Sequence, residues 1–294
     1  MSFDGDNPLS PDSPQQDAPS AHPEPAPSPE SLLSSEPFTH PVSPIPADLR
    51  VPWAWGNLLL LVLMYFILTF LLVLGLAAFG VKPANLQHLS AENGPLIILT
   101  QVVLSFGILA YLAAEMRFYF RLPFWSAIGW HKLDPSTVAR SWAYGRYVVG
   151  GFLFSVLIQL VSASVGTKAK LPMEALFQDQ RTAFLLMLMA VTIAPVVEET
   201  IFRGYIYPVI ARSFGVGASI VATGTLFGML HAPQLWGGWG QIALLIVVGI
   251  VFTYVRSKTG TVVTSYLMHV GYNTFPLLVY AFASHGFHKF PIGQ

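Results

Sequence analysis

The fold class is decided by residues 57–80, which read NLLLLVLMYFILTFLLVLGLAAFG and contain no charged side chain. A helix of about 20 apolar residues is long enough to cross the hydrocarbon core of a bilayer. The stretch shows no alternation of apolar and polar residues, so a helix is favoured over a strand of a membrane barrel. It therefore predicts a transmembrane helix.

Six further apolar runs follow this one along the chain. Hydrophobic residues make up 53% of the 294 residues and charged residues only 10%, whereas a soluble domain usually carries about 25% charged residues. Tryptophans lie beside the runs rather than inside them, as in the aromatic belts of membrane proteins. The sequence therefore predicts an all-α, polytopic transmembrane helix bundle. The seven runs are residues 57–80, 94–115, 147–166, 182–212, 215–231, 239–256 and 261–284.

The first 50 residues have a different composition. They contain eight acidic residues and one basic residue, and they hold 12 of the 23 prolines. Proline removes backbone donors, and few apolar residues are present to form a core. We predict a disordered, acidic Pro/Ser-rich tail over residues 1–50 and a membrane domain over residues 51–294. The chain has no cysteine and a net charge of zero, which excludes thiol nucleophiles and speaks against a nucleic-acid binder.

The segment 116–146 predicts the orientation of the chain. It contains five basic residues and one acidic residue, and the positive-inside rule places such a loop in the cytoplasm. Part of it is expected to lie along the membrane interface as an amphipathic helix. Counting back two spans places the N-terminal tail in the cytoplasm as well. We therefore expect a multi-pass protein of the cytoplasmic (inner) membrane.

Only three charged residues lie in the interior of the runs, namely Glu198, Glu199 and Arg203. A charge near the bilayer centre costs about 2.5–3.5 kcal/mol. Glu199 and Arg203 are four residues apart with the acid first, which favours a helical ion pair. Glu198 points about 100° away from that pair and is left free to act as a general base or acid. Pro195 and Pro208 are expected to kink or open this helix.

Two histidines lie in later runs. His231 closes the fifth run, and His269 lies four residues before Asn273 on one helix face of the seventh. Measured from one membrane face, Glu198, His231 and His269 lie roughly 21, 24 and 14 Å along their helices. A carboxylate, two imidazoles and an amide can position a water, take its proton and donate to an oxyanion. Hydrolysis of an amide is the simplest reaction that uses this set.

Each of these residues also has a structural interpretation. An isolated histidine is often a hydrogen-bonded packing residue, and a Glu–Arg pair in the membrane is often structural. Asn273 alone is typical of hydrogen bonding between helices, and Phe227 is typical of packing. Glu115, Arg212 and Arg256 lie at the ends of runs, where we expect them to reach the lipid headgroups.

Three short motifs carry a family resemblance. Glu198-Glu199-Thr-Ile-Phe-Arg203-Gly204 reads EExxxR, Phe227-Gly-Met-Leu-His231 reads FxxxH, and His269-Val-Gly-Tyr-Asn273 reads HxxxN. In this order and spacing, over about residues 182–275, they resemble the CPBP family. That family comprises CAAX-type prenyl-protein endopeptidases and bacteriocin-processing or immunity (Abi) proteins.

The resemblance implies an intramembrane endopeptidase with about eight spans and an active site in a membrane-embedded cavity. Its substrate would be a peptide or protein, lipidated or bound to the membrane. The eighth span would come from a broken final run or from residues 116–146. By resemblance, Glu198 would activate the water, His231 would assist, and His269 with Asn273 would bind the oxyanion or orient the water. The supporting residues would be Glu199, Arg203 and Phe227.

The resemblance also implies a divalent metal such as zinc, for which Glu198, His231 and His269 are the candidate ligands. Zinc motifs such as HExxH place their ligands close together in the sequence, so a metal-free glutamate mechanism is equally compatible. Two further functions stay open. A non-catalytic immunity or scaffold protein would retain the same fold, and an ion-coupled transporter would also bury acids and histidines. A transporter predicts paired internal repeats, and none is evident.

Overall fold

The computed structural model describes residues 46–81, 93–133, 142–165 and 171–285. These residues form helices, turns and loops, and the described ranges contain no strand, so the predicted all-α class is confirmed. The predicted disordered tail comprises residues 1–50. Its residues 1–45 lie outside these ranges, and only its last five residues are described. The helices are α1 (Trp55–Ala78), α2 (Gly94–Ala114), α3 (Trp142–Val165), α4 (Gln180–Val191), α5 (Ile193–Glu199), α6 (Tyr207–Leu230), α7 (Trp239–Thr259) and α8 (Val262–Ala283).

Short irregular elements complete this part of the chain. Two of them are π-helical: Glu115–Tyr119 extends α2, and Thr200–Ile206, called the π segment below, joins α5 to α6. The others are the 3₁₀ turns Ala47–Leu49 and Pro172–Phe177 and the four-residue helix Phe124–Ala127. A π turn widens a helix by one residue and is frequently found at functional sites.

The fourth apolar run is interrupted where its prolines predict. Pro195 cannot donate a hydrogen bond to the carbonyl of Val191 and would clash with it in a continuous helix. Accordingly, α4 ends at Val191 and α5 begins at Ile193. Pro208 lies in the first turn of α6, directly after the wider π segment. The predicted interruption is therefore confirmed at Pro195, and Pro208 lies where the hydrogen bonding changes from the π to the α pattern.

The number of membrane spans differs from the expected seven to eight. Five helices in the described residues are long and apolar enough to cross a bilayer, so the larger number is not confirmed. Gln180–Val191 is too short, and the run beginning at Ile193 continues to Leu230 as one span despite a kink at Gly215, which has φ 81°. The five are Trp55–Ala78, Gly94–Tyr119, Ala143–Ser164, Ile193–Leu230 and Trp239–Thr259.

Neither predicted source supplies the additional span. α8 is a single, unbroken helix of 22 residues. Its polar residues lower its mean hydropathy, so it is not among the five helices that are apolar enough to cross a bilayer. The described part of 116–146 holds the π turn, the helix Phe124–Ala127 and the first residues of α3, and residues 134–141 lie outside the described ranges. That part contains no long amphipathic helix, so the interfacial helix expected there is not seen in it.

Glycines allow two pairs of helices to approach closely. A side chain at Gly224 of α6 would collide with the backbone of Ile250 on α7, and one at Gly249 would meet the Gly224 carbonyl in turn. On the other side, a side chain at Gly151 of α3 would overlap the Met268 carbonyl on α8. Small residues at helix interfaces permit this backbone contact in membranes. The close packing fixes α6, α7 and α8, which carry most of the candidate site.

Residues 46–54 pack against the end of the bundle. Asp48 forms an ion pair of 2.6 Å with Arg256, and the guanidinium of Arg212 donates to the carbonyls of Val51 and Trp53. Structured residues therefore begin before the predicted boundary at residue 50. The expectation that Arg256 reaches the headgroups is wrong, because this side chain is only 1% exposed and pairs with Asp48. Arg212 is half-buried, and its contact with the headgroups stays a prediction.

Candidate active site

The centre of the candidate site is a fully buried ion pair. Arg203 Nη1 lies 2.9 Å from Glu199 Oε1, and both side chains are 0% exposed. The other guanidinium nitrogens of Arg203 are also occupied, since Nη2 donates to the Gly249 carbonyl at 2.9 Å and Nε donates to Thr253 Oγ1 at 3.3 Å. The pair expected from the four-residue spacing is present. It neutralises one of the two adjacent carboxylates.

Three aromatic rings enclose the guanidinium. Its carbon lies 4.6 Å from the ring centre of Phe227, 5.5 Å from that of Phe252 and 5.8 Å from that of Phe202. Cation–π attraction is strongest where water is excluded, so these rings stabilise a charge that the membrane interior would otherwise penalise. The predicted supporting role of Phe227 as a packing residue agrees with its 2% exposure.

His269 connects the two carboxylates. Its Nδ1 lies 2.9 Å from Glu199 Oε1 and its Nε2 lies 3.7 Å from Glu198 Oε2. An ionised carboxylate can only accept hydrogen bonds, so the Nδ1–H of His269 donates to Glu199. In the neutral ring this leaves the lone pair on Nε2, the nitrogen that faces Glu198.

His231 approaches Glu198 from the other side and in the same tautomer. Its Nδ1 lies 2.8 Å from the carbonyl of Phe227, and its Nε2 lies 4.0 Å from Glu198 Oε1. A backbone carbonyl is an acceptor only, so Nδ1 carries the proton and Nε2 is free in the neutral ring. Glu198 therefore lies between two imidazole nitrogens whose tautomers are set by their other hydrogen bonds.

Access distinguishes Glu198 from its neighbour. The side chains of Glu198 and His231 are 25% and 24% exposed, whereas Glu199 is 0% exposed and His269 only 5%. The two contacts of Glu198 at 3.7 and 4.0 Å are longer than hydrogen bonds, a separation at which a bridging water should be considered. Glu198 and His231 are therefore the more accessible members of the cluster.

Asn273 is the one motif residue that no described contact joins to this cluster. Its Nδ2 donates to the carbonyl of Ala190 at 2.7 Å. That carbonyl lies in the last turn of α4, where the break before Pro195 leaves backbone acceptors without helical partners. Asn273 thus ties α8 to the end of α4, as the hydrogen-bonding interpretation of this residue expects. Its predicted oxyanion role stays a prediction.

The structure does not by itself select a metal site. Within the described ranges, no group of three or more His, Cys, Asp or Glu side chains is placed to hold a metal ion. The chemistry of Glu198, His231 and His269 suits a divalent ion, since two free Nε2 atoms face one carboxylate and both rings are oriented from behind. The metal hypothesis therefore needs an experiment.

Sequence reasoning missed a second buried carboxylate. Glu115 is 8% exposed and accepts hydrogen bonds from Asn57 Nδ2 at 2.9 Å and from the Tyr205 hydroxyl at 2.6 Å. The expectation that Glu115 reaches the headgroups is wrong, because these two groups hold it inside the bundle. The one indication in the sequence was the charge of Glu115, because a charged residue at the end of an apolar run is uncommon.

The geometry can be compared with known proteins. Residues 180–275 match the model of one protein family, described as type II CAAX prenyl endopeptidase Rce1-like. The match covers about a third of the chain and contains all three motifs, so it confirms the resemblance to CAAX-type endopeptidases. Comparisons with curated proteins and with solved structures give no match. Together with the five apolar helices, the family match supports an integral, multi-pass membrane protein of the endopeptidase type.

Proposed function

We propose that the chain is an intramembrane endopeptidase in which Glu198 activates a water for attack on a peptide bond. One observation carries the proposal. The Glu198 carboxylate is partly exposed and faces the Nε2 atoms of His231 and His269, while Glu199 beside it is neutralised by Arg203. Two adjacent carboxylates in different environments suit two different tasks.

The separations leave room for the nucleophile. A water placed about 2.8 Å from a carboxylate oxygen and from an imidazole nitrogen would satisfy normal hydrogen-bond distances to both. Glu198 takes a proton from this water, whose oxygen attacks the peptide carbonyl carbon. The C–N bond then breaks, and the departing amine receives the proton held by Glu198. The remaining hydrogen of the water is donated to the Nε2 lone pair of His231 or of His269, which orients the oxygen for attack.

The oxyanion that forms in this reaction needs hydrogen-bond donors. We propose Asn273 for this task. His269, the other residue of the HxxxN motif, orients the water instead, because the one N–H of its neutral ring is bonded to Glu199. One N–H of Asn273 is bonded to Ala190, so the second N–H is the one that would donate. Removing a single oxyanion donor typically lowers the rate by about 10²–10³-fold.

A divalent metal such as zinc is the second version of this proposal. Its ligands would be Glu198, His231 and His269, and it would polarise the peptide carbonyl and acidify a bound water. The two versions differ in a direct test. Dialysis against a chelator should abolish cleavage by a metal enzyme. Adding back one particular metal should then restore the activity. It should leave a metal-free enzyme unchanged.

We propose a membrane-associated peptide or protein as the substrate, with lipidated proteins included. The family described as CAAX prenyl endopeptidases supports this class. We also propose that the N-terminal tail lies in the cytoplasm and that the protein occupies the inner membrane. The positive charge of residues 116–146 supports that orientation.

The experiment compares Glu→Gln variants of the purified, full-length chain. Cleavage is followed with a quenched fluorescent peptide that ends in a prenylated CAAX sequence, and by mass spectrometry of new peptide termini in membranes with and without the protein. Glu198→Gln should lose at least about 100-fold in rate. Glu174→Gln is the control, because Glu174 is exposed and lies outside the motifs on the turn Pro172–Phe177.

Two outcomes would contradict the proposal. If Glu198→Gln cleaves as fast as Glu174→Gln, the catalytic assignment is wrong. If the wild-type chain produces no new termini in either assay, the non-catalytic scaffold or immunity function is favoured instead.

A further inference from the structure

Three side chains from outside the family-matched residues hold the π segment. The indole of Trp53 donates to the carbonyl of Tyr205 at 2.9 Å, and the indole of Trp130 donates to Thr200 Oγ1 at 2.9 Å. The third, Glu115, accepts the Tyr205 hydroxyl at 2.6 Å. Both ends of the seven-residue segment are thus attached to parts of the chain that no motif includes.

These attachments suit the needs of a π turn. A π turn does not pair its backbone groups as a regular α-helix does, and an unpaired carbonyl in a dry interior is costly. Trp53 supplies the hydrogen bond to the Tyr205 carbonyl, and its ring stacks on the ring of Tyr205 at 5.3 Å with an angle of 9° between planes. Trp53, Tyr205 and Thr200 are all 0% exposed, so water cannot replace the bonds.

Glu115 connects α1 and the end of α2 to the π segment. Its Oε1 accepts from Asn57 on α1, and its Oε2 accepts from Tyr205 on the π segment. The described hydrogen-bond partners of this carboxylate are an amide and a phenol rather than a cation. α1, the end of α2 and the π segment are therefore joined through one side chain.

The position of the π segment determines the position of Glu198. Glu198 and Glu199 are the last two residues of α5, and Thr200 follows directly. His231 directly follows α6, and His269 lies on α8. A shift of the π segment would therefore change the 3.7 and 4.0 Å separations between Glu198 and the two imidazoles. A displacement of about 1 Å in a catalytic arrangement can cost about 10²-fold in rate.

We propose that Trp53, Glu115 and Trp130 are positioning residues that hold the π segment and thereby direct Glu198 toward His231 and His269. This inference rests on the proposed function for its effect on catalysis. Its structural part, the placement of the Glu198 side chain, can be measured without any cleavage. The two parts are tested separately.

The kinetic test uses Tyr205→Phe, which removes the hydroxyl bonded to Glu115 and keeps the stacked ring. A second variant, Trp130→Phe, removes the donor to Thr200. Each should lower kcat by about 10–100-fold and leave KM within threefold. The matched control is Tyr280→Phe on α8, whose hydroxyl donates to the Phe177 carbonyl at 3.1 Å away from the π segment. It should keep the wild-type kcat.

A purely structural role predicts a different result. Tyr205→Phe and Tyr280→Phe would then lower the unfolding temperature to a similar extent, and kcat per folded molecule would be unchanged in both. A kcat of Tyr205→Phe within twofold of the control overturns the positioning role.

The second readout uses the absence of cysteine from the chain. A Glu198→Cys variant carries a single thiol at the site, and its rate of reaction with a membrane-permeant maleimide reports the exposure of position 198. Adding Tyr205→Phe should change that rate at least threefold, whereas adding Tyr280→Phe should not. Equal rates in both backgrounds overturn the inference. If the wild type cleaves nothing, the proposed function fails and this readout alone decides whether the π segment positions residue 198.

Discussion

Exchanging Glu199 for glutamine should destabilise the protein far more than the same exchange at Glu198. The Glu199 side chain is 0% exposed and accepts from Arg203 and His269 through one oxygen. The variant Glu199→Gln leaves the guanidinium charge of Arg203 buried without a directly bonded carboxylate. Glu198 has no contact with His231 or His269 shorter than 3.7 Å and is 25% exposed, so Glu198→Gln removes no close contact to either.

The magnitude follows from the geometry of the ion pair. Unit charges 2.9 Å apart attract by about 6 kcal/mol at an effective dielectric constant of 20. Glutamine avoids the desolvation of a carboxylate, which offsets part of this loss, and breaking one side of a buried pair typically costs about 3–5 kcal/mol. Glutamine also retains an oxygen acceptor for Arg203, so we expect the lower end, about 3 kcal/mol. For Glu198→Gln we expect less than about 1 kcal/mol.

Thermal unfolding in detergent measures the difference. The chain contains seven tryptophans, so intrinsic fluorescence follows the transition. At about 2–4 °C per kcal/mol for a domain of 150–250 residues, Glu199→Gln should unfold about 6–12 °C below the wild type. Glu198→Gln should unfold within about 3 °C of it. Equal unfolding temperatures for the two variants would show that the Glu199–Arg203 pair does not stabilise the fold and would refute the reasoning.

Two further predictions concern packing and pH. Gly151→Ala should lose about 1–3 kcal/mol, because the added methyl overlaps the Met268 carbonyl. A methyl group added at Gly150 meets nothing within 4 Å, so Gly150→Ala should leave the free energy of unfolding unchanged or raise it by up to about 1 kcal/mol. Equal unfolding temperatures of Gly151→Ala and Gly150→Ala would contradict this reasoning. Asp179 accepts hydrogen bonds from the backbone N–H and hydroxyl of Thr182, which lower the pKa of its carboxyl group. Its stabilisation of α4 is therefore complete above the unfolded pKa near 4 and is lost as the pH falls through the lower folded pKa. Hydrogen exchange in the first turn of α4, corrected for intrinsic rates, should accelerate over that range in the wild type, whereas Asp179→Ala should show no such change.

Local sequence patterns predicted the helices and their interruptions well. Apolar runs fix helix positions because every backbone group in lipid must be paired within its own segment. Pro195 acts within one turn of the chain, so its effect is visible in the sequence. The span count was harder, because the polar residues that build the site also lower the apolarity of α8. Function and membrane crossing place opposite demands on that helix.

The site was predictable as far as its residues lie within a few positions of each other. The Glu199–Arg203 pair follows from helical spacing alone. The hydrogen bonds between distant residues could not be foreseen, since Asn57 and Glu115 are 58 positions apart and Trp53 and Tyr205 are 152 apart. No periodic pattern links such residues. Asn273 shows the same limit, because its spacing to His269 suggests a shared site while its amide bonds Ala190.

The charges of the cluster relate the two versions of the proposed mechanism. Glu198 and Glu199 contribute two negative charges and Arg203 contributes one positive charge, so the cluster carries one excess negative charge when both histidines are neutral. A net charge inside a bilayer is costly, and the folded site is therefore stabilised by binding one positive charge next to Glu198. A proton would supply positive charge there, and so would a divalent metal ion held by Glu198, His231 and His269. Chelation removes only the second of these, so its effect on the unfolding temperature identifies the bound charge even where cleavage is too slow to measure.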